Sequence, residues 1–494
     1  MLTVSGILAK TVDFVFRTFY SRSLGSEGMG IFSLCFAVHG IMLNIASGGL
    51  GVAVSKSVSE CYSSGQLGQA GKTMKAALSA VFVLSLTAIG AVCIFSKTIA
   101  TEVLKEPRCS ISLVCIAPTV LFMGISYCIK GYFYATRRVV IPASSEFLEQ
   151  LVKIVSTVFF LSKMLPKGVE FGCAAVFLGM SAGEFSSCLF LSLFYMSDAK
   201  KCTAKQKTGV AALSGLLKVS IPIMITSLVC SFFRMLEEVL VVQSLEKSGL
   251  SKPEALSAYG GIRGMVMPLI VFPLTLLSSC FTLLVPEISR AYAMKNKVRL
   301  QNLVAKIYRF CTIFGFLVLC TFFVFGERLV FFAYNTYQIS RPLKILAVIS
   351  PLMFVDSVST GILNGMGKQT RLLVFCLMDS LSRILLIYIF MPRFGISALI
   401  LTIIFSNILT SCLTYKSVIG FSDIKIKSSG RIWRHIAATV FAAIASLKVL
   451  PDIGGVREMA IGIAILGMVY FVFSFIFGAA KKSDFRWLFG RMFF

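Results

Sequence analysis

The stretch GYFYATRRVVIPASSEFLEQLVKI, residues 131–154, has a counterpart 230 positions later: GILNGMGKQTRLLVFCLMDSLSRI, residues 361–384. Aligned without a gap, Gly131 meets Gly361, Arg138 meets Lys368, Glu149 meets Asp379 and Lys153 meets Arg383. In both copies an acid precedes a base by four residues inside an apolar run, a spacing that puts both on one helix face. Charge inside an apolar helix is costly unless it is paired or faces a cavity. Glu149–Lys153 and Asp379–Arg383 therefore read first as self-neutralising structural bridges. The same costly device at matching places marks a duplicated chain.

Outward from these copies, apolar runs follow one another along the whole sequence. Its 494 residues are 57% hydrophobic and 14% charged, with mean hydropathy +0.86. Soluble domains run at about 45–50% apolar and about 25% charged. Runs of about 20 residues are membrane helices, whereas a barrel would show alternating segments of about ten. The expected fold is an all-α polytopic membrane protein with about fourteen transmembrane helices, near 2–20, 30–53, 76–96, 110–136, 143–163, 170–195, 212–243, 258–287, 302–325, 342–366, 371–391, 395–415, 432–449 and 459–479. The short linkers 137–142 and 392–394 imply antiparallel neighbours. The two copies fall on the fifth and eleventh spans, and FVFR ending at Arg17 matches SFFR ending at Arg234 on the first and seventh. An even number of spans separates the copies, so the repeats are parallel, related by an axis along the membrane normal. The expected organisation is two pseudo-symmetric six-helix lobes, 1–200 and 201–430, with a site between them near mid-membrane. Two further helices and a cytoplasmic tail occupy 431–494.

Net charge is +26. The bases sit mostly between apolar runs, which is topogenic, and no basic block interleaved with stacking aromatics points to nucleic acid. The loops at 54–75, 137–142, 197–218, 289–300, 367–371, 416–434 and 480–494 carry 25 Lys and Arg, and the alternate loops carry 13. That excess puts the first set and both termini in the cytoplasm, with Trp433 and Trp487 near that interface. The N-terminus lacks a charged n-region, so its first apolar run reads as a retained span and not as a signal peptide. The 15 cysteines have no paired spacing. Several, Cys35, Cys93, Cys128, Cys173, Cys320 and Cys376, lie inside apolar runs and pack as small hydrophobes. His39 and His435 are far apart, and His39 reads as a satisfied packing residue. No metal site or cofactor is implied, and no phosphate-cradling loop or nucleophile constellation suggests an enzyme.

The informative charges lie inside the spans. Lys10, Asp13 and Arg17 are spaced three and four, so they share a helix face. Asp13 neutralises only one neighbour, and the face stays positive. An ion-pair ladder would account for the stripe, but a water-filled, cation-lined cavity accounts for its uncompensated base as well. Arg22 follows at the outer end, where it either joins the cavity or snorkels. On the seventh span Arg234 is placed to bridge Glu237 or Glu238, which leaves one acid over as a candidate for coupling. Arg263, in YGGIRGMVMPL, has no local acid, and its flanking glycines permit a bend or unwound turn. Lys130, Glu146, Glu184 and Asp356 are single intramembrane charges; Asp356 is placed to carry a proton or accept a hydrogen bond across helices. Bases exceed acids over spans 1, 7 and 8, and guanidinium binds phosphate or pyrophosphate by forked hydrogen bonds. An organic cation would not suit such a cavity.

The ordered set FVFRTFYSRSLGSEGMGIFSL, GGLGVAVSKSVSE, KGYFYATRR with EFLEQLVKI, KPEALSAYGGIRGMVMPL with LLVPEISRAYA, and TGILNGMGKQTR resembles the multidrug/oligosaccharidyl-lipid/polysaccharide exporter superfamily. Within it the likeness is to the polysaccharide-transporter branch and its stage V sporulation protein B-like flippases, over nearly the whole chain. The resemblance implies a two-lobed bundle that opens alternately to either side. It also implies a lipid-linked, pyrophosphate-bearing anionic oligosaccharide as cargo, with membrane lipids and cell-wall or polysaccharide-synthesis enzymes as partners. In related members arginines of spans 1 and 8 contact the pyrophosphate; Arg17 and Arg22 match on span 1, and Arg263 lies on the right helix. The substrate-binding candidates are thus Lys10, Arg17, Arg22 and Arg263, and the coupling or cavity acids Asp13, Glu237, Glu238 and Asp356. The chain begins closer to its first span than the resemblance implies. Two other readings are a drug/cation antiporter of the same fold, which needs an acid-dominated cavity, and a non-transporting membrane protein in envelope or spore assembly.

Overall fold

A computed structural model describes residues 2–65, 67–199, 210–281, 285–422, 429–449 and 455–479. Trp487 and the tail 480–494 lie outside the described residues. Every described secondary element is helical. The chain divides into two units, Met1–Gly264 and Met265–Phe494.

The first unit begins with α1, Leu2–Ser47, too long to cross a membrane once: 46 residues would extend about 70 Å. Gly25 breaks it, with φ 71° and ψ 179°. The rings of Tyr20 and Phe32 are 5.5 Å apart, where a straight helix would separate them by about 18 Å. The chain therefore reverses at Gly25, and α1 is two antiparallel spans. A second left-handed glycine, Gly49 (φ 75°), precedes α2, Leu50–Ser63. Then come α3 (Leu67–Thr98, with a π turn Ile99–Val103), α4 (Cys109–Ala135), α5 (Val140–Met164), α6 (Val169–Ala199), α7 (Val210–Lys247) and α8 (Lys252–Gly260). A π segment, Gly261–Val266, follows α8.

Close backbone approaches order this unit. A Cβ on Gly30 would lie 2.5 Å from the Leu256 carbonyl oxygen, and one on Gly260 would lie 2.0 Å from that of Ser26. The second limb of α1 and α8 thus touch main chain to main chain, and Ser26 and Ser257 share a hydroxyl hydrogen bond of 2.6 Å at the crossing. With no hydrophobic drive between helices in lipid, such small-residue contacts are what holds them together. Gly183 does the same for α6 against Lys153 and Glu149 of α5. His39 is buried and bonded to the Thr119 hydroxyl at 2.8 Å, as a packing histidine should be.

The second unit continues with α9 (Met267–Phe281), α10 (Val285–Ala293), α11 (Lys297–Tyr334), α12 (Ser340–Ala347), α13 (Ser350–Gly365), α14 (Gln369–Ser422), α15 (Ser429–Val449) and α16 (Val456–Ile476). Gly395 (φ 54°, ψ −130°) folds α14 as Gly25 folds α1, and the Ser406 hydroxyl reaches Asp379 across the turn at 2.6 Å. The two last helices pack on α11, where the buried Tyr470 hydroxyl donates to the Ile313 carbonyl at 2.9 Å.

Nine described helices are long and apolar enough to cross a membrane, ten when the bent pair α12–α13 is one span. Dividing α1 and α14 at their glycines, and counting α5 and α15, reaches the fourteen expected. The duplication is visible in backbone detail. Phe133 O accepts from Arg138 N at 2.9 Å, and Leu363 O accepts from Lys368 N at 2.9 Å. Tyr132 O with Thr136 N, and Ile362 O with Met366 N, repeat the match. The left-handed residue between them is Arg137 in one copy and Gly367 in the other. These helix ends share one capping motif. The same offset relates Gly65, after α2, to Lys295, after α10, both with positive φ.

The Gly30–Gly260 crossing gives the first prediction. Gly260→Val should lower the thermal stability of the detergent-purified protein, at a cost on the order of 1–3 kcal/mol from overpacking. Gly90→Ala, at a glycine with open space around it, should leave the melting temperature unchanged.

Candidate functional site

Within the first unit a cavity of about 310 Å³ opens among α1, α5, α6, α7 and the π segment. The first limb of α1 contributes Asp13, Phe16, Arg17 and Tyr20. Lys153 enters from α5, Arg234 and Glu238 from α7, and Arg263 from the π segment. Four bases thus face two acids. The Lys153 ammonium donates to Asp13 Oδ1 at 2.8 Å, and Arg263 Nε lies 3.8 Å from Glu238 Oε1. Arg17 Nε is buried and has no hydrogen-bond partner among the described residues. Arg234 forms no ion pair there. The bend expected around Arg263 is the π segment itself; a Cβ on Gly264 would come within 2.7 Å of the Met29 side chain. Asn44 donates to the Ser231 hydroxyl at 2.7 Å and ties the second limb of α1 to α7 beside the cavity.

A second cavity, about 340 Å³, also has Asp13 in its lining. Lys10 and Lys130 line it together with Glu146, Glu149 and Glu184. Here the acids are in excess. Lys130 bridges Glu146 at 3.4 Å.

Several sequence expectations are corrected. Lys153 does not bridge Glu149 on its own helix. It turns to Asp13 on α1, because the helix pair brings a competing carboxylate within 2.8 Å. Arg234 does not bridge Glu237 or Glu238 locally; Glu238 is drawn toward Arg263. Lys10 lines the acid-rich cavity, away from Arg17, and Arg22 is exposed and absent from the lining of either cavity. Glu237 is buried on α7 outside both linings. The second-copy bridge does form, Arg383 to Asp379 at 2.9 Å. Asp356 accepts the Thr414 hydroxyl at 2.9 Å across helices. Lys153 was missed as a cavity cation because its i−4 acid offered a complete account of it within one helix.

An ion cluster lies at the ends of these helices. Arg108, between α3 and α4, donates to Glu27 at 2.7 Å and to Glu106 at 2.8 Å. Lys252, at the start of α8, lies 3.5 Å from Glu106 and donates to the Lys105 carbonyl. The three linkers that meet here belong to one side of the charge-counted topology. Burial pushes the Glu106 carboxyl up, but the Arg108 hydrogen bonds and the Lys252 charge outweigh it and hold it below the usual carboxylate range.

A many-spanned helical bundle with a cation-lined cavity among its helices is the architecture of a membrane transporter. Comparison with known proteins makes the class specific. The sequence model described as "Polysaccharide biosynthesis protein" matches residues 1–292, and the MatE model matches residues 222–389. Stage V sporulation protein B of Bacillus subtilis (strain 168) is 25% identical over 498 residues, covering 98% of this chain and 96% of that protein. A solved structure titled as the lipid II flippase MurJ in an inward closed conformation superposes with TM-score 0.67 at 14% identity, over 96% of this chain and 98% of that one. An inward-facing multidrug resistance MATE family transporter of the MOP superfamily gives TM-score 0.66 at 14% identity, over 87% of this chain and 100% of that one. The chain belongs to the polysaccharide biosynthesis protein family of the multidrug/oligosaccharidyl-lipid/polysaccharide exporter superfamily. It is a multi-pass membrane protein with the fold of that superfamily's transporters and flippases.

Glu106 supplies a pH test. Its carboxyl is held low in the folded protein, so its stabilisation is full above the ordinary glutamate range and is lost as pH falls through the lower folded value. Glu106→Gln should cost about 1–2 kcal/mol at neutral pH, the scale of a charge-assisted hydrogen bond from a buried carboxylate to a partly exposed arginine. Thermal unfolding of the two proteins should converge as the pH is lowered below about 4.

Proposed function

We propose that the protein is a flippase that moves a lipid-linked, polyprenyl-pyrophosphate oligosaccharide or cell-wall precursor across the cytoplasmic membrane by alternating access. The observation that carries this reading is Arg17, which lines the base-rich cavity and whose buried Nε has no hydrogen-bond partner among the described residues. A buried donor left unsatisfied is costly. A phosphate oxygen would satisfy it, and the excess of bases would hold a multiply charged anion. Arg17 and Arg263 bind the pyrophosphate in this account. The rings of Phe16, Tyr20 and Phe32 offer apolar and stacking surface beside it. The polyprenyl tail stays in lipid.

With lobes divided at residue 200, the cavity is lined from both: α1, α5 and α6 on one side, α7 and the π segment on the other. Rocking of the lobes would then re-expose the head group. The cluster of Glu27, Glu106, Arg108 and Lys252 also joins the two lobes, so it must open for release on that side. The termini lie in the cytoplasm, and that cluster lies outside. Coupling, where it operates, draws on the membrane potential or on an acid such as Asp356 or Glu237. Full-length similarity to stage V sporulation protein B supports a place in envelope or spore assembly. The excess of bases argues against a drug/cation antiporter.

The decisive variant is Arg17→Ala. In proteoliposomes carrying a fluorescent polyprenyl-pyrophosphate sugar, it should lower transport at least about a hundredfold, the scale of losing a fork of charge-assisted bonds, with monodispersity and melting temperature preserved. Arg17→Lys should restore only part, because lysine keeps the charge and loses the fork. Wild-type transport rates in Arg17→Ala would remove the phosphate-binding role, and no transport by the wild type would favour a non-transporting function.

A further inference from the structure

Asp13 lines both cavities, whereas Lys153 lines only the base-rich one. Their 2.8 Å ion pair therefore stands where two compartments of opposite charge meet. The lysine side chain is buried, and among the described residues its ammonium has a single ion-pair partner. An ammonium carries three donors. Asp13 takes one, so two remain for a ligand in the cavity it lines. The backbone behind it is fixed: a Cβ on Gly183 of α6 would come within 2.8 Å of the Lys153 Cβ and 2.9 Å of the Glu149 carbonyl oxygen. The carboxylate is the freer partner. Asp13 is half exposed, and it also accepts a 3.3 Å hydrogen bond from Gln150. Lys10, three residues earlier on its own helix, lines the side cavity that Asp13 also borders.

We propose that Lys153 is a cargo-sensing residue: an anionic phosphate entering beside Arg17 displaces Asp13 from Lys153, and the freed carboxylate turns toward the side cavity. This rests on the flippase reading above and adds to it a switch made by the cargo itself. A phosphate brings more charge and more acceptor oxygens than one carboxylate, so it wins the ammonium when bound. Asp13 acts as a built-in competitor that lowers resting affinity and recaptures Lys153 on release. Charge in the side cavity then changes with occupancy of the main one, which links cargo binding to the packing of α1 against α5.

The test is binding of geranylgeranyl pyrophosphate to the purified full chain in nanodiscs, read by thermophoresis. Asp13→Asn should bind the probe about tenfold more tightly, and Lys153→Gln about tenfold more weakly, each the scale of one charge-assisted hydrogen bond. Lys153→Arg should bind near wild type. In the double variant the Asp13 substitution should no longer matter. A merely structural bridge would instead lower the melting temperature in both single variants and shift affinity in the same direction. Unchanged or weaker binding by Asp13→Asn overturns the switch, and this variant decides alone should Lys153→Gln not fold. Loss of binding in Arg17→Ala with no effect of Asp13→Asn overturns the switch and leaves the flippase reading standing. No binding by the wild type overturns both.

Discussion

The first unit depends on one contact, the main-chain crossing of α1 and α8 at Gly30 and Gly260. A methyl group on either glycine would meet a carbonyl oxygen of the other helix at 2.5 Å or less. Two consequences follow from so close a crossing. Past Gly260 the helix widens into the π segment, and Arg263 reaches the cavity that holds Arg17. At its other end α8 carries Lys252 to Glu106 and Arg108. Cavity and ion cluster are set by the same few small residues, so a change in how α1 meets α8 changes both together.

The duplication shows which features are scaffold and which have been reassigned. Helix-end hydrogen bonds at residues 132–138 and 362–368 match almost atom for atom. The charged pairs one helix further on do not. Arg383 closes on Asp379, which also accepts from Ser406, so that copy keeps its pair inside one hairpin. Lys153 instead crosses to α1. In register with DFVFR of the first span, the seventh reads CSFFR. The second copy therefore has cysteine at the place of Asp13 and lacks the acid that captures the base.

Much of this was legible in the sequence because the bilayer is a severe solvent. Span number, hairpin linkers and the parallel repeat follow from hydropathy, glycine placement and a recurring acid–base spacing. Arg17 was legible as a cavity residue because its stripe could not neutralise itself. What periodicity cannot give is the partner of a charge when two helices compete for it. Glu149 and Lys153 satisfy the i, i+4 rule, as Arg234 and Glu238 do. Each such pair is worth only about 0.2–0.5 kcal/mol on an isolated helix, less than a shorter contact with a neighbouring helix offers in a drier setting. Lys153 and Glu238 are accordingly drawn across helices. Arg22, exposed and three residues before the turn at Gly25, lines neither the base-rich nor the acid-rich cavity.

The sign of the cavity constrains the transport cycle more tightly than its shape does. Four bases and two acids leave the cavity lining with two positive charges in excess. On insertion scales each unpaired base costs about 2.5–3.5 kcal/mol, a cost that hydration of the cavity relieves. A state closed to both sides while empty would strip that water and bury bare guanidinium. A state closed around a pyrophosphate would not, because the cargo supplies the missing charge. On the flippase reading, closure is therefore easy when loaded and hard when empty. The return of the empty carrier then becomes the step that needs help, from a small anion, from the membrane potential or from a carboxylate nearby. Asp13, already beside Arg17 and held there by Lys153, is the residue best placed to lower that barrier.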